Sequence, residues 1–475
     1  MKEMIMKKNI NKILLGSLLV GSLSACNKLK DFGDTNIDPG VTSTPQVAAL
    51  LTGVEAGVAG NATSTAPGYF AQYISETQYP GTGLYTPASL QADFTGYYTG
   101  SLMDLQNIIN INSSNNQSAV ARILKAYIYW NITDRWGDVP YSEALQGNGT
   151  PVYDSQESIY KAMISELTAA NDQFDGGTSL ITGDLIYSGN EALWKKLANS
   201  LRMLMALRLS KKYPGASDYA ATEFKAALSA SGGYITSNAE NFQVTYPDAN
   251  YKNPWFAAYD GRKDFGESDV MIGFLTGFGD ARINAFGSST LGVPYGWERS
   301  AIEGWAASNA DWARVLRSDL RKTNSTVVIV NAAQVFLARA EAADRGWTTE
   351  DVTSLYQSGI TASFSQWGVA APTSAYFGQG GVVLTATGTS ANIKQIATQR
   401  YLATYPDGMQ GWSEWRRTGY PELTPTPEAL NSSKQIPRRY TYATSESTSN
   451  KANYEAAVGR LSGGDTQDAK VWWDQ

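Results

Sequence analysis

The sequence predicts a mostly α-helical fold in which coupled helices alternate with long irregular loops. Apolar residues recur at helical spacing in several stretches, and the tracts between them are rich in Gly, Pro, Ser, Thr and Asn. The predicted helices follow one another in couples with short links, which is typical of helical repeat scaffolds such as tetratricopeptide units. No repeat signature is legible, so this interpretation depends on the spacing of the helices alone.

The first half of the chain holds most of the predicted helices. Residues 102–111 carry apolar side chains at helical spacing. The next helix has an apolar face at positions i, i+3, i+4, i+7 and i+8, formed by Val120, Ile123, Leu124, Tyr127 and Ile128. We expect it to end at Gly137, because Pro140 follows. Further helices are predicted over residues 155–174, 194–208 and 219–230.

A second group of helices is predicted later in the chain. Residues 335–345 form a strong helical pattern that Gly346 closes, and residues 352–367 form a partner helix. The sequence therefore predicts helix pairs from about residue 45 to 235 and again from about residue 327 to 367.

Loop-rich tracts separate these helices over residues 79–96, 237–312 and 372–390. Long loops inside a compact chain are usually functional or disordered. The middle tract also contains Trp and Tyr side chains, whose flat apolar faces and polar handles suit wet contacts. These rings form a binding surface on a rigid helical base, or they pack the irregular loops onto the core; the sequence leaves both interpretations open.

The N-terminal segment has the order of a secretory signal peptide. Lysines precede a short apolar run, residues 13–23, which only Gly and Ser interrupt. A run of this length is too short to cross a hydrocarbon core of about 30 Å as a helix. We therefore predict a signal peptide over residues 1–25.

Cys26 is the only cysteine and ends the run Leu23-Ser24-Ala25-Cys26. This run is similar to a bacterial lipobox, in which the cysteine is acylated and becomes the first residue of the mature protein. The alternative is an ordinary signal peptide that ends near a free cysteine. The lipobox interpretation predicts lipidation at Cys26 and a polar, lipid-anchored tether over residues 26–45.

Composition excludes several classes of function. The net charge of −6 argues against a nucleic-acid partner, whose binding surface would be basic. The chain has no histidine, which excludes a Ser-His-Asp hydrolase and any histidine-ligated metal site. An enzyme would have to use carboxylates, Lys, Tyr or an oxygen-ligated cation. We predict no cofactor.

Short motifs along the chain then point to one family. Residues 135–145 read RWGDVPYSEAL and resemble the segment GD-(I/V)-P-Y-x-E-A of the SusD/RagB family of outer-membrane nutrient-binding lipoproteins. The segment WSEWRRTGYP, residues 412–421, is the most specific match. Further matches are residues 198–202, 338–347 and 436–440, with Glu446 and Asn450.

The resemblance implies a single α-rich domain over residues 46–475, built on eight helices in four tetratricopeptide-like pairs. It implies a protein that sits on the cell outer membrane, faces the exterior and is held by lipid only. It also implies binding of an oligomeric nutrient, a glycan or a peptide, without catalysis. The implied partner is a SusC-like TonB-dependent transporter, over which the protein lies as a lid.

Some motif residues have structural interpretations of their own. Gly137 fits a left-handed helix cap, and Asp138 can accept hydrogen bonds from nearby backbone amides. Glu414, Arg416 and Arg417 lie close together on one helical segment. An Arg–carboxylate pair there would hold the C-terminal portion on the scaffold.

The predicted binding residues are rings in the two tracts where the resembled family binds nutrients, here residues 79–98 and 255–305. They are chosen by residue type only and are expected to converge on one face away from the lipid: Tyr79, Tyr85, Trp255, Tyr295, Trp297 and Trp305. Two alternatives remain. One is a structural adhesin, and the other is a glycosidase that uses two carboxylates from among Asp138, Glu143, Glu341 and Glu414.

Overall fold

Helices account for most of the regular structure in the computed structural model, which describes residues 46–248, 251–386 and 388–475. The prediction of a mostly α-helical fold is confirmed. In chain order the α-helices are α1 (Val47–Val58), α2 (Thr65–Phe70), α3 (Thr95–Tyr97), α4 (Met103–Ile111), α5 (Asn115–Trp136), α6 (Gln156–Gln173), α7 (Glu191–Arg208), α8 (Tyr219–Leu228), α9 (Pro254–Tyr259), α10 (Asp269–Gly277), α11 (Ile283–Phe286), α12 (Arg299–Ser308), α13 (Ala332–Asp344), α14 (Val352–Gln366), α15 (Ser374–Gly378), α16 (Ile393–Thr404), α17 (Gly408–Thr418), α18 (Glu446–Ser449) and α19 (Lys451–Val458).

Eight of these helices form a scaffold of four pairs. The pairs are α1 with α4, α5 with α6, α7 with α8, and α13 with α14. Neighbouring pairs contact one another through α4 and α5, α6 and α7, and α7 and α13. Each pair therefore covers the apolar face of the next, as in helical repeat proteins. The four predicted tetratricopeptide-like pairs are confirmed.

Capping residues explain where the scaffold helices begin and end. The Ser155 side chain accepts a hydrogen bond from the Ser158 backbone amide, at 3.2 Å, at the start of α6. At the start of α13, Asn331 and Gln334 form a reciprocal capping box. Helix α5 ends at Gly137, whose φ of 88° is a conformation that glycine adopts without steric cost. The predicted end of α5 is therefore confirmed.

The strands are short and form three antiparallel pairs. Strand β1 (Ile74–Glu76) pairs with β5 (Phe265–Glu267), β2 (Val139–Pro140) with β3 (Tyr153–Asp154), and β4 (Phe242–Thr245) with β6 (Thr326–Val330). In the β4–β6 ribbon, Gln243 lies opposite Val328. Because side chains alternate along a strand, buried Phe242 and Val244 face the core while half-buried Gln243 faces away from it.

Helices α16 and α17 pack against the scaffold and are joined to it by a buried ionic cluster. Arg417 of α17 contacts Glu341 of α13 at 2.5 Å and Glu414 of its own helix at 2.6 Å. Arg400 and Arg345 also reach Glu341, at 3.1 and 2.8 Å. We call Glu341, Glu414, Arg345, Arg400 and Arg417 the ionic cluster. The sequence predicted an Arg–carboxylate pair that holds the C-terminal motif on the scaffold; the structure shows that Glu341 of α13 is the scaffold partner of Arg417, which the sequence did not identify.

A second buried centre surrounds Asp134 near the end of α5. Its carboxylate accepts hydrogen bonds from the Tyr160 hydroxyl and, at 2.8 Å, from the Trp473 indole. The Arg416 guanidinium donates to the Asp134 carbonyl at 2.8 Å and lies 3.7 Å from the ring centre of Trp412. Three distant parts of the chain therefore meet at one residue of the scaffold.

The residues from Val47 to Gln475 form one compact unit. The predicted signal peptide, Cys26 and the tether lie outside the described residues and stay predictions. Within the described ranges, no helix combines the length and apolar character that a membrane crossing requires.

Candidate ligand-binding surface

Two of the predicted loop tracts meet on the surface of the molecule. The Ser75 hydroxyl donates to the Pro294 carbonyl at 2.7 Å, and the hydroxyls of Tyr85 and Tyr295 lie 3.1 Å apart. A third segment joins them, because the Thr426 hydroxyl donates to the Gly296 carbonyl at 2.6 Å. We call the surface formed by residues 77–86, 293–299 and 424–431 the loop surface.

Tyr79 and Trp297 are the exposed rings of the loop surface. The side chains are 51% and 43% exposed, although large apolar groups are costly to leave in water. Arg299, two residues after Trp297, places its guanidinium 5.3 Å from the ring centre of Tyr79. Arg299 also pairs with Glu303 at 2.8 Å. The loop surface thus combines two accessible aromatic faces with an exposed hydrogen-bond donor and an acceptor.

Tyr85 and Tyr295 support this surface from below. Both rings are buried, and the Tyr295 hydroxyl donates to the Tyr69 carbonyl at 2.6 Å. The hydroxyls of the two rings therefore tie the first and second loops to α2. This placement indicates that both rings support the surface, and their predicted role as ligand contacts stays a prediction.

Trp255 and Trp305 lie apart from the two exposed rings. Trp255 is buried in α9 and lines a separate cavity. Trp305 lies on α12, where it packs against Ile302 and Trp312 in a small apolar cluster. The loops that appear uniform in the sequence thus hold rings with four different environments.

A shallow groove runs beside Tyr79 and carries charge. Its walls are Gln78, Tyr79, Gly261, Arg262, Lys263 and Asp264. The Arg262 guanidinium donates to the Asp264 carboxylate at 2.8 Å. Burial, reinforced by Asp264, raises the pKa of the adjoining Glu76 to about 7. We call this feature the Tyr79 groove; it offers amide, guanidinium and carboxylate groups next to an exposed ring.

Comparison with known proteins identifies the family to which this fold belongs. A family described as starch-binding and associating with the outer membrane matches residues 39–443, which is most of the chain. The chain belongs to this SusD-like family. No curated protein sequence matches it.

Solved structures share the SusD-like fold over nearly the whole chain. A chitin-binding protein is 28% identical, with a TM-score of 0.77, and the match covers 90% of this chain and 100% of that one. A chitin-binding SusD homologue from Flavobacterium johnsoniae is 24% identical, with a TM-score of 0.79 and coverage of 90% and 98%. A SusD homologue from Bacteroides uniformis is 24% identical, with a TM-score of 0.77 and coverage of 90% and 99%.

The carboxylates that a glycosidase would need have structural partners in this SusD-like protein. Asp138 accepts from the Gln156 amide at 2.7 Å and pairs with Arg460. Glu143 accepts from the Val152 amide at 3.2 Å. Glu341 and Glu414 are buried in the ionic cluster. In the described part of the chain, no group of three or more acidic or cysteine side chains could hold a metal ion.

The sequence missed Arg299 and the 424–431 segment as parts of the SusD-like surface. Arg299 lies two residues after Trp297, so its closeness to a predicted binding ring could have identified it from the sequence. The third segment had no comparable signal, because it reaches the surface through single hydrogen bonds such as the one from the Leu430 amide to the Leu84 carbonyl, at 2.7 Å.

Proposed function

We propose that this protein binds an oligomeric glycan on the loop surface, by stacking on Tyr79 and Trp297 and by hydrogen bonds from the groups around them. The observation that carries the proposal is the exposure of these two rings on loops that a buried hydrogen-bond network holds in place. Sugar rings present apolar faces and hydroxyl edges, which match an exposed aromatic ring beside polar side chains.

Binding without catalysis fits the chemistry of the surface. A glycosidase needs two carboxyl groups in a cleft, about 5 to 10 Å apart, whereas the candidate carboxylates are engaged in structural contacts. A structural adhesin would need no exposed rings supported in this way. The names of the chitin-binding relatives favour a glycan over a peptide as the ligand.

The proposed role is capture at the cell surface and delivery to a SusC-like TonB-dependent transporter in the outer membrane. The description of the family supports association with the outer membrane. Anchoring through acylated Cys26, with the loop surface facing the exterior, completes the proposal. No nucleic acid takes part in it.

Replacing Tyr79 or Trp297 with alanine is expected to weaken glycan binding about thirtyfold each. Truncation of a central anchor at a binding surface typically costs about 2 kcal/mol or more, which corresponds to this factor. Isothermal titration calorimetry with chitin and starch oligosaccharides of six sugar units would measure the loss. The melting temperature should stay close to that of the wild type, because both rings are exposed.

Two controls sharpen this test. Tyr79→Phe keeps the ring and should retain most of the affinity, and Leu180→Ala removes an apolar group that is 73% exposed and lies beside the start of α5. Wild-type affinity in both Tyr79→Ala and Trp297→Ala would place the site elsewhere. Release of shorter sugars from the oligosaccharides by the wild-type protein would refute binding without catalysis.

Cys26→Ala is expected to move the protein from the membrane fraction to the soluble fraction. A single acyl chain gives only marginal membrane binding, whereas two or more hold a protein stably. Fractionation of cells with labelled palmitate gives the measurement. Membrane association with palmitate labelling in the variant would contradict lipidation at this residue.

A further inference from the structure

A cavity of about 440 Å³ lies behind the β4–β6 ribbon and shares no lining residue with the Tyr79 groove. Its walls come from the outward face of the ribbon, from Trp255 of α9, from Trp367 at the end of α14 and from residues 404–406. We call it the ribbon cavity. Its volume falls within the range of about 300–1,000 Å³ that is typical of small-molecule sites.

The walls of the ribbon cavity carry amide groups with unused hydrogen-bonding capacity. Within the described residues, the buried amide oxygens of Asn238 and Gln366 have no hydrogen-bond partner, while Gln243 is half-buried and Asn324 is exposed. Gln243 is held toward the cavity because its neighbours in β4 face the core. A polar group in a protein interior normally has a partner. The unpartnered oxygens of Asn238 and Gln366, with the half-buried amide of Gln243 on the same wall, therefore indicate a site for a polar ligand.

Two indole rings add apolar walls to these amides. Trp255 is 1% exposed, and its Nε1–H has no acceptor among the described residues; the same holds for Nε1–H of Trp367. Such a buried donor is unfavourable, because it has lost its hydrogen bonds to water without gaining another. The wall thus offers ring surfaces and amide groups together, which is the combination that binds a polyhydroxylated ring.

The ribbon cavity is also electrically neutral. Asp319 is the charged residue among those that line it, and its carboxylate pairs with Arg317 at 2.6 Å. Because an unpaired ion needs a compensating charge when it leaves water, this wall does not suit an anionic or a cationic ligand. This neutral wall distinguishes the ribbon cavity from the Tyr79 groove, whose walls include the charged residues Arg262, Lys263 and Asp264.

We infer that the ribbon cavity is a second binding site, for an uncharged saccharide of one or two rings or for the end of a longer chain. The indole faces pack against the sugar ring, and the amides of Gln243, Asn324 and Gln366 exchange hydrogen bonds with its hydroxyls. This site is independent of the loop surface, so a single protein molecule holds a short sugar in the cavity and an extended glycan outside.

The experiment uses separate variants to distinguish binding in the ribbon cavity from binding on the loop surface. Maltose and N,N′-diacetylchitobiose are titrated while tryptophan fluorescence is recorded, because Trp255 and Trp367 report on the cavity. A Gln243→Leu/Gln366→Leu variant is expected to bind the better of the two disaccharides at least tenfold more weakly. The Tyr79→Ala/Trp297→Ala variant should bind it as the wild type does and should lose only the long oligosaccharides.

A second cavity variant checks that the loss of binding in Gln243→Leu/Gln366→Leu does not result from misfolding. Val328 is half-buried on the outward face of β6, so Val328→Phe fills the cavity and should also abolish disaccharide binding, with an unchanged circular dichroism spectrum. The inference is overturned by no binding of either disaccharide to the wild type, by unchanged binding in both cavity variants, or by tighter binding of galacturonic acid than of the neutral sugars. Loss of disaccharide binding in the Tyr79→Ala/Trp297→Ala variant alone would also overturn it and leave the loop surface as the one site.

Discussion

Arg417→Met is expected to lower the free energy of unfolding by about 3–5 kcal/mol, the usual result of removing one partner from a buried ion pair. Arg417 and Glu341 are 1% and 0% exposed, so neither charge can regain water in the folded state. Without Arg417, Glu414 loses its contact at 2.6 Å, and Glu341 keeps only Arg345 and Arg400. Denaturant titration followed by circular dichroism measures the change.

Acid should reduce the stabilisation that the ionised Glu341 gives through its arginine partners. Burial by itself acts to raise the pKa of Glu341, but Arg417 and Arg345 outweigh it and hold the pKa well below its ordinary value of 4.5. The unfolded chain then binds the proton more readily than the folded one. The stabilisation is complete above about pH 4.5 and is lost as the pH falls toward the folded-state pKa. The stability gap between wild type and Glu341→Gln should therefore narrow in acid.

The control for Arg417→Met is an ion pair on the protein surface. Lys161 lies 2.6 Å from Glu157 one helical turn away, and its side chain is 44% exposed. Lys161→Met should change the free energy of unfolding by less than about 1 kcal/mol, since water screens such pairs. An equal loss in Lys161→Met and Arg417→Met would contradict a special role for the ionic cluster.

Gly408→Ala is expected to destabilise the fold by about 3 kcal/mol, at the upper end of the usual cost of overpacking. A Cβ atom on Gly408 would lie 2.2 Å from the Gly68 nitrogen and 2.3 Å from its Cα. Both are backbone atoms, so no side chain can rotate away and α17 must separate from α2. Thermal unfolding monitored by circular dichroism gives the measurement.

Gly53→Ala is the matched control for this substitution. Gly53 is an exposed residue of α1, and a Cβ atom there would meet nothing within 4 Å. Alanine should stabilise the helix by about 0.4–1 kcal/mol, because it reduces the entropy of the unfolded chain. A melting temperature for Gly408→Ala at or above that of the wild type would show that the two helices are not in close contact.

The scaffold could be predicted from the sequence because local signals control it. Ser155 marks a helix start through its side-chain oxygen, Gly137 marks a helix end through its backbone conformation, and the apolar faces follow from spacing. The contact between Arg417 and Glu341 spans 76 positions; the sequence predicted an Arg–carboxylate pair in the C-terminal motif but did not identify Glu341 as the partner.

The details of the candidate site could not be predicted in the same way. Tyr85 and Tyr79 stand in the same glycine-rich loop, but Tyr85 is buried among distant partners that include the hydroxyl of Tyr295, 210 positions away. The ribbon cavity combines Gln243, Trp367 and Tyr405 from segments that no local pattern connects. Ring type identifies candidates, but long-range packing decides which rings meet a ligand.

The surroundings of Asp134 have a consequence for the order in which the chain folds during synthesis. Its partners come from α6, from Arg416 and from Trp473, which is 339 residues further along. When the ribosome has released α5 and α6, Asp134 can meet Tyr160, but Arg416 and Trp473 have not yet been made. Contacts of such separation are slow to form, so we expect this buried centre to be completed only after the C-terminal residues have been made.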